Sequence, residues 1–322
     1  MKATDIGNLD IDQLCSMGVH VVRQTLRVIK QDVTRDPETA FTRVLVGDDR
    51  KEALRVDVSA EDTAARTMRN WHNAKFGELE VYGEERLRNR NLDLSDSKNL
   101  CALVDAIDGT DLLERGLYNW CSTFVFFAPS RPEGCRILAA FVGLPSGEVF
   151  LARADRDGAF VTRSGGGPVL VKGPSTRGAI KDASICFYGQ KLGNLMATMA
   201  CGLFTRMSET PNSKGTRIYN LAGIPMMVKL VHHCVETART IDAVFDVEGQ
   251  KPHDVVPGAF IAKKAGAALV HLNGQDIQLH ELENLLFKPA QNELKYVLAA
   301  TKKLANSLVE KMKVQKTELK AG

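Results

Sequence analysis

The segment VDAIDGTD at residues 104–111 constrains this chain more than any other stretch. Asp105 and Asp108 are three positions apart, and Gly109 and Thr110 follow them. The apolar residues before them predict a strand, and the residues after them predict a short helix. Carboxylates hold hard cations, and the N–H groups at a helix start hold anions. Together they suit the hydrolysis of a phosphate ester, although Asp-rich turns that only begin a helix are common.

The composition excludes several classes of protein. With 322 residues, 44% hydrophobic and 25% charged, the chain is long enough for two domains or one large layered domain. A net charge of +3 with interspersed signs gives no indication of a nucleic-acid polymer or a membrane as partner. The N-terminus lacks the apolar core of a signal peptide, and no apolar run reaches membrane-spanning length. The seven scattered cysteines indicate reduced thiols, so we expect a cytoplasmic protein without structural zinc.

The spacing of apolar residues predicts the elements of the first half. Asp10 is the expected cap of the first helix, and Ser59 with Asp62 resembles a capping box on the second. Strands after residue 119 are separated by turns that contain Pro or Gly, which predicts an antiparallel meander. In order, we predict a helix over 10–30, a loop or hairpin over 31–52, a strand over 54–58, a helix from 59 to about 71, strands over 79–85 and 101–104, a helix over about 110–115, and strands over 119–128, 135–144 and 148–154.

The second half begins after a segment rich in Gly and Pro, residues 164–182, which is the expected domain connection. Asp254 precedes a predicted helix, where the helix dipole alone favours an acid. His232 and His233 are adjacent and therefore point in different directions on a helix, so we expect structural roles for both. In order, we predict a strand over 183–189, a helix over 192–204, a loop over 208–216, a helix over 222–238, a strand over 241–247, a helix over about 255–265, a strand over 268–272 and a helix over about 291–313.

Five segments together resemble the inositol monophosphatase-like superfamily of magnesium-dependent, lithium-sensitive phosphatases. They occur in the order found in that family and cover roughly residues 10–275. Each motif is weak or moderate alone, and their joint order is specific. The segments are VDVSAED (56–62), VYGEE (81–85), VDAIDGT (104–110), DGAFV (157–161) followed by ASICFYG (183–189), and HDVVPGAFIAKKAGA (253–267).

The resemblance implies an α+β (α/β) fold, the layered αβαβα sandwich of the inositol monophosphatase type. Residues 1–155 would form an N-terminal half with the metal-binding motifs, and 156–290 a second half that contributes Asp254. Residues 291–322 would form a C-terminal helix, docked on the outside, and a tail. The family resemblance also implies a homodimer.

The resemblance further implies two to three Mg²⁺ ions per site. Glu84 and Asp105, with the backbone carbonyl of Ile107, would hold the first ion. Asp105, Asp108 and Asp254 would hold the second. Glu84 would also face a third, more hydrated ion. Acids that converge in this way need cations, because buried charge is otherwise costly.

The remaining roles implied by the family concern the water and the substrate. Thr110 and Asp62 would orient the attacking water, although Asp62 also fits a plain capping role. Backbone N–H groups of Gly109 and Thr110 would hold the phosphate. Asp246 and Glu248 could bond sugar hydroxyls or could be exposed acids at a strand end.

Three residues depart from the family pattern: Ala106 replaces a Pro, Asp111 follows Thr110, and His253 replaces a Trp. Asp111 would repel a second substrate phosphate unless Arg115 pairs with it. We therefore expect a Mg²⁺-dependent phosphomonoesterase acting on a small phosphorylated polyol or sugar, of the inositol monophosphate or fructose-1,6-bisphosphate type. The alternatives are a 3′(2′)-nucleotide phosphatase, or a non-catalytic relative that binds a phosphorylated ligand or a protein partner.

Overall fold

The computed structural model describes residues 9–46, 51–73, 79–85, 92–209, 215–221, 223–232 and 241–312. The first half contains α1 (Ile11–Arg35), α2 (Pro37–Ala40), β1 (Arg43–Val46), β2 (Lys51–Leu54), α3 (Arg55–Asn73), β3 (Leu79–Gly83), β4 (Leu100–Asp108), α4 (Thr110–Glu114), β5 (Cys121–Phe127), β6 (Ile137–Gly143), β7 (Val149–Arg153), β8 (Ala159–Thr162) and β9 (Val169–Leu170). The second half contains β10 (Ser184–Phe187), α5 (Leu192–Ala200), α6 (Leu203–Ser208), β11 (Arg217–Tyr219), α7 (Ile224–Val231), β12 (Ala243–Gln250), α8 (Pro252–Lys264), β13 (Ala268–Val270), α9 (Leu279–Leu285), β14 (Leu294–Ala299) and α10 (Lys302–Met312).

Two large sheets organise these elements. The first has seven strands in the order β3-β4-β5-β6-β7-β8-β9 and is antiparallel except for the parallel pair β3 and β4. The second has five strands in the order β11-β10-β12-β14-β13 and is mixed, with β10 parallel to β11 and β12. A separate antiparallel hairpin joins β1 and β2.

Three layers of helices enclose the two sheets. α1 and α3 pack on the outer face of the seven-stranded sheet, against a core that includes Phe124, Phe126 and Phe141. α7, α8 and α9 lie between the sheets, where their apolar side chains form one cluster with both. α5, α6 and α10 cover the outer face of the five-stranded sheet. The predicted αβαβα layering is therefore confirmed, and α10 docks on the outside as expected.

Most predicted elements are confirmed. Asp10 caps α1 by accepting a hydrogen bond from the N–H of Gln13 at 3.1 Å. The meander is antiparallel, and it continues through two further short strands, β8 and β9. His232 directly follows α7 and packs edge-on against Phe150 at a ring distance of 5.1 Å, a structural role. The prediction for His233 lies outside the described residues.

The strand predicted over 54–58 is wrong, because α3 begins at Arg55. The alternation of Val, Asp and Val resembles a strand, but the segment is the first turn of an amphipathic helix. Ser59 and Asp62 therefore lie inside this helix and form no capping box. The buried apolar positions of α3 are four residues apart, a helical spacing: Val56, Ala60, Ala64 and Met68.

The helix predicted over 291–313 is wrong in its first part, which forms β14. Leu294 and Leu298 suit one face of a helix, but they also suit alternate positions of a strand. Tyr296 between them is fully buried in the same cluster, which identifies the strand. A short apolar run that is buried on both faces lacks the periodicity that would separate the two structures.

The predicted domain limits do not follow the sheets. β8 and β9 lie after residue 155 but belong to the seven-stranded sheet. β14 lies after residue 290 but is an inner strand of the five-stranded sheet. A division by sheets would fall between Leu170 and Ser184 instead.

Two further observations concern the whole described chain. None of its helices combines the length and the apolar character needed to cross a membrane. The six described cysteines are free thiols: Cys15, Cys101, Cys121, Cys135, Cys186 and Cys201.

Gly18 allows α1 to approach the first sheet closely. A Cβ at this position would lie 2.2 Å from Cζ of the buried Phe141 ring. Replacing Gly by Ala in a helix normally stabilises it by up to about 1 kcal/mol. For Gly18→Ala we expect the opposite, a loss of about 1–3 kcal/mol in the free energy of unfolding, because the core is overpacked.

Gly193→Ala in α5 is the matched control, since nothing lies within 4 Å of its added Cβ. Urea unfolding of both variants tests the contact. Equal stabilisation of the two variants would contradict it.

Candidate metal centre

Asp105 and Asp108 face the same space because β4 contains a bulge. Residues three apart on a regular strand point to opposite faces. Here Asp105 pairs with Thr123 and Asp108 pairs with Cys121, so three steps on β4 match two steps on β5. A bulge of this kind re-aims side chains. It brings both carboxylates to the end of the strand.

Gly109 makes the turn from β4 into α4. Its φ of +92° lies in the left-handed region, which favours glycine. A Cβ would also lie 3.0 Å from the carbonyl oxygen of Asn119 and 3.2 Å from Cβ of Trp120. Both conformation and space therefore require glycine here. The turn places Thr110 directly after the two acids.

The other acids arrive from distant parts of the chain. Glu84 follows β3, and its N–H donates to the carbonyl of Val104 at 3.0 Å. Asp254 lies in the first turn of α8. Asp105, Asp108 and Asp254 each offer a carboxylate oxygen within 4.8 Å of the others. In a second group, Glu84, His253 and Asp254 each offer one ligand atom, and these three atoms also lie within 4.8 Å of one another.

Burial disfavours the ionised form of these carboxyl groups. Asp105 is 2% exposed, and burial followed by the charge of Glu84 raises its pKa well above the usual range. Burial, and then Asp254, raises the pKa of Asp108 to about 8. Burial also raises the pKa of Asp254 to about 6, although His253 opposes the shift. Without a cation, this group would hold protons near neutral pH.

The donor atoms fit a hard divalent cation. Asp105, Asp108 and Asp254 provide oxygen atoms alone, which are the ligands that Mg²⁺ prefers. Asp105 Oδ1 accepts a hydrogen bond from the N–H of Ile107 at 3.0 Å. Its Oδ2 is buried and has no hydrogen-bond partner among the described residues. A bound cation would satisfy this atom.

The hydroxyl of Thr110 contacts Asp57 rather than the predicted Asp62. Thr110 Oγ1 lies 2.9 Å from Asp57 Oδ1 and 2.9 Å from the carbonyl oxygen of Ile107. Burial raises the pKa of Asp57 to about 8. Asp62 is exposed and lies five residues further along α3, which turns it roughly 140° away. The misread start of α3 caused this error, because a helix that begins at residue 55 turns Asp57 inward.

Glu61 was missed by the sequence analysis. It lies one helical turn after Asp57 and is 3% exposed. Its Oε2 accepts a hydrogen bond from the N–H of Glu85 at 2.8 Å. A Cβ at Gly83 would lie 1.9 Å from Cδ of Glu61, so this approach requires glycine. Glu61 thereby fixes the turn that carries Glu84. The signal in the sequence was the spacing of Asp57 and Glu61, four residues apart, which places both acids on one face of a helix.

The acids expected to bind metal line a cleft of about 560 Å³. The predicted residues that line it are Glu84, Asp105, Ile107, Asp108, Gly109, Thr110, Glu248 and Asp254. The cleft is also lined by residues that were not predicted, among them Asn119, Tyr188, Gln190, Lys191, Asn194 and Lys251.

Two predictions near the cleft are corrected. Asp246 does not line it, because this side chain is buried and its Oδ1 accepts hydrogen bonds from the N–H groups of Glu248 and Gly249. Arg115 donates to the backbone carbonyl of Asp111 and lies 3.6 Å from the carboxylate of Glu114. The expected ion pair with the side chain of Asp111 is therefore replaced by these contacts.

Comparison with known proteins gives similarity in structure alone. No model of a protein family matches the sequence, and a search of curated proteins finds no match. A Thermotoga maritima IMPase matches 93% of this chain and 96% of its own, with a TM-score of 0.64 and 13% identity. SaIMPase-II with bound inositol monophosphate matches 92% of both chains, with a TM-score of 0.62 and 16% identity. An IMPase/NADP phosphatase complexed with NADP and Ca²⁺ matches 95% of this chain and 96% of its own, with a TM-score of 0.62 and 16% identity.

The raised pKa values predict how stability depends on pH. A carboxyl whose pKa is higher in the folded state stabilises the fold below its unfolded pKa of about 4 and loses that contribution as pH rises through its folded pKa. For Asp108 this window ends at about pH 8. Without metal, the Tm of Asp108→Asn should therefore rise relative to wild type between pH 4 and 8, by at least about 2 °C.

Thermal unfolding in EDTA and in Mg²⁺ provides the measurement. Mg²⁺ should raise the Tm of the wild type at pH 8 and raise that of Asp108→Asn much less. A Tm difference in EDTA that stays constant with pH would contradict the assignment.

Proposed function

We propose that this chain, which has the fold of the inositol monophosphatase-like superfamily, is a metal-dependent phosphomonoesterase. The observation that carries the proposal is the convergence of Asp105, Asp108 and Asp254 within 4.8 Å. Thr110 lies beside them with its buried partner Asp57. Cation ligands next to a fixed proton acceptor are what water needs to attack a phosphate ester.

The proposed cofactor is Mg²⁺, with two to three ions per site. Glu84, Asp105 and the carbonyl of Ile107 are the proposed ligands of the first ion. Asp105, Asp108 and Asp254 are those of the second, and Glu84 faces the third. When bound, the ions make water more acidic and neutralise charge on the phosphoryl oxygens. The raised pKa values of Asp105 and Asp108 support cation binding at this position.

Thr110 and Asp57 would orient the attacking water. A Thr hydroxyl that donates its proton to Asp57 keeps its oxygen lone pairs free to accept a hydrogen bond from water. Thr110 Oγ1 then fixes the water in one direction, and Asp57 is positioned to take up a proton through Thr110. Asp57 replaces Asp62 in the proposal.

The phosphate would bind where β4 meets α4. Gly109 and Thr110 both line the cleft at this point. The first N–H groups of a helix have no partner within the helix, so they can donate to phosphate oxygens. A phosphate placed there would lie between these donors and the acids of the metal centre.

The proposed substrate is a small phosphorylated polyol or sugar of the inositol monophosphate or fructose-1,6-bisphosphate type. Glu248 on the cleft wall can accept hydrogen bonds from sugar hydroxyls. One solved neighbour holds inositol monophosphate and another holds NADP, so a 3′(2′)-nucleotide phosphatase is the second candidate. We also propose that the protein is a cytoplasmic homodimer, without a nucleic-acid polymer or a membrane as partner.

A non-catalytic relative that only binds a phosphorylated ligand or a protein is disfavoured by the acids themselves. Buried carboxylates that repel one another cost stability, and a binding site for a phosphate would be weakened by them. Their convergence on a cleft favours a role that needs cations.

Phosphate release from a panel of inositol, sugar and nucleotide phosphates tests the function. We expect turnover with Mg²⁺ and none in EDTA. Asp105→Asn should lose activity by at least about 100-fold, because the central ligand loses its charge. Absence of turnover on every compound, with the wild type folded and Mg²⁺ bound, would overturn the proposal.

Asp57→Asn and Asp62→Asn form a matched pair on one helix. Asp57→Asn should lower kcat by about 10²–10⁴, because Thr110 loses its proton acceptor. Asp62→Asn should retain wild-type kcat. The substrate that the panel identifies serves for both measurements, and the far-UV spectrum of each variant monitors folding. The reverse order of effects would restore Asp62 to the site.

A further inference from the structure

We propose that Glu84, His253 and Asp254 form a binding site for a transition-metal dication such as Zn²⁺ or Co²⁺, beside the oxygen-only group of Asp105, Asp108 and Asp254. The family resemblance implies oxygen ligands alone. This inference rests on the metal centre proposed above and goes beyond it, because it gives one site a nitrogen ligand.

The distances suit ligands that share an ion. His253 Nε2 lies 3.5 Å from Asp254 Oδ1 and 3.8 Å from Glu84 Oε1. One ligand atom from each of the three residues lies within 4.8 Å of the others. Ligands about 2.1 Å from a tetrahedral ion are roughly 3.4 Å from one another. The observed separations therefore leave the space that an ion would fill.

A direct hydrogen bond would be shorter. Charged hydrogen bonds between nitrogen and carboxylate oxygen are about 2.7–2.9 Å long. A hydrogen bond of this length occurs elsewhere in this chain, where His271 Nε2 lies 2.8 Å from Glu281 Oε1. The imidazole of His253 approaches its two carboxylates without reaching this distance. These distances are those of loose ion pairs, and they also leave room for an ion between the groups.

His253 is a largely buried side chain whose polar contacts among the described residues are those with Glu84 and Asp254. It is 8% exposed, at the second position of α8, and its Nε2 faces the acids. Its Nδ1 is buried and has no hydrogen-bond partner among the described residues. A buried imidazole normally satisfies its nitrogens. Coordination through Nε2 would give that nitrogen a partner and leave Nδ1 to carry the proton of the neutral ring.

A nitrogen ligand changes which metal binds. Mg²⁺ prefers oxygen ligands, whereas imidazole suits Zn²⁺, Co²⁺ and other transition metals. Three protein ligands leave a fourth position for water or a substrate oxygen. The side chain of Glu84 is 43% exposed and lines the cleft, so this open position would face the cleft. Asp254 belongs to both groups and would link the two sites.

Metal binding by the full-length protein tests the site. Metal-free wild type and His253→Gln are titrated with Zn²⁺ and Mg²⁺ by calorimetry, and with Co²⁺ by visible absorption. We expect His253→Gln to bind Zn²⁺ at least about 10-fold more weakly and to lose the Co²⁺ bands of the wild type. Its Mg²⁺ affinity should remain that of the wild type. His271→Gln is the matched control and should bind all three metals as the wild type does.

The outcomes are independent of phosphate release. Equal Zn²⁺ affinity and an identical Co²⁺ spectrum in wild type and His253→Gln would overturn the inference, and His253 would then only form an ion pair with the acids. A parallel loss of Zn²⁺ binding in His271→Gln would also overturn it. If no substrate is hydrolysed but Zn²⁺ binding depends on His253, the proposed function fails and the metal site stands.

Discussion

Repulsion among carboxylates held away from water is the constraint on which the centre of this structure depends. Asp105 is almost fully buried, and Asp108 and Asp254 offer oxygens within 4.8 Å of its own. Each of these acids would be more stable alone in solvent. The fold nevertheless brings them together, so a positive charge must complete the group. Protons can supply it in part, and divalent cations can supply it fully.

Backbone hydrogen bonds hold the acids in place against this repulsion. Ile107 donates to Asp105, and Ile224 at the start of α7 donates to Asp108 Oδ2 at 3.0 Å. Glu61 accepts from Glu85 and so fixes the turn that carries Glu84. These anchors come from three layers of the sandwich. The acids are therefore positioned by the scaffold before any cation binds, which is what a preorganised site requires.

Much of this arrangement could be predicted from sequence, and the failures have physical causes. The order of short motifs identified the acids around Asp105 because turns and strand ends carry local signals. Asp57 was missed because a Val-Asp-Val segment alternates like a strand while it forms the first turn of α3. β14 was missed because Leu294 and Leu298 fit two periodicities. Asp246 was misplaced because a buried acid that closes its own turn looks, in sequence, like an acid at a strand end. For Asp57 and β14, packing against distant parts of the chain decides between a helix and a strand.

The positions of the proposed metal ligands along the chain also affect the order in which the site forms during folding. Asp105 belongs to the seven-stranded sheet and Glu84 directly follows its strand β3, whereas Asp254 belongs to a helix between the two sheets. A ribosome completes the first sheet well before residue 254 emerges, and domains begin to fold during synthesis. For that interval the nascent chain carries Glu84, Asp105 and Asp108 without Asp254. The cation would then bind late, after Asp254 has reached its place. A bound ion would therefore stabilise the fully folded protein and not its partly synthesised forms.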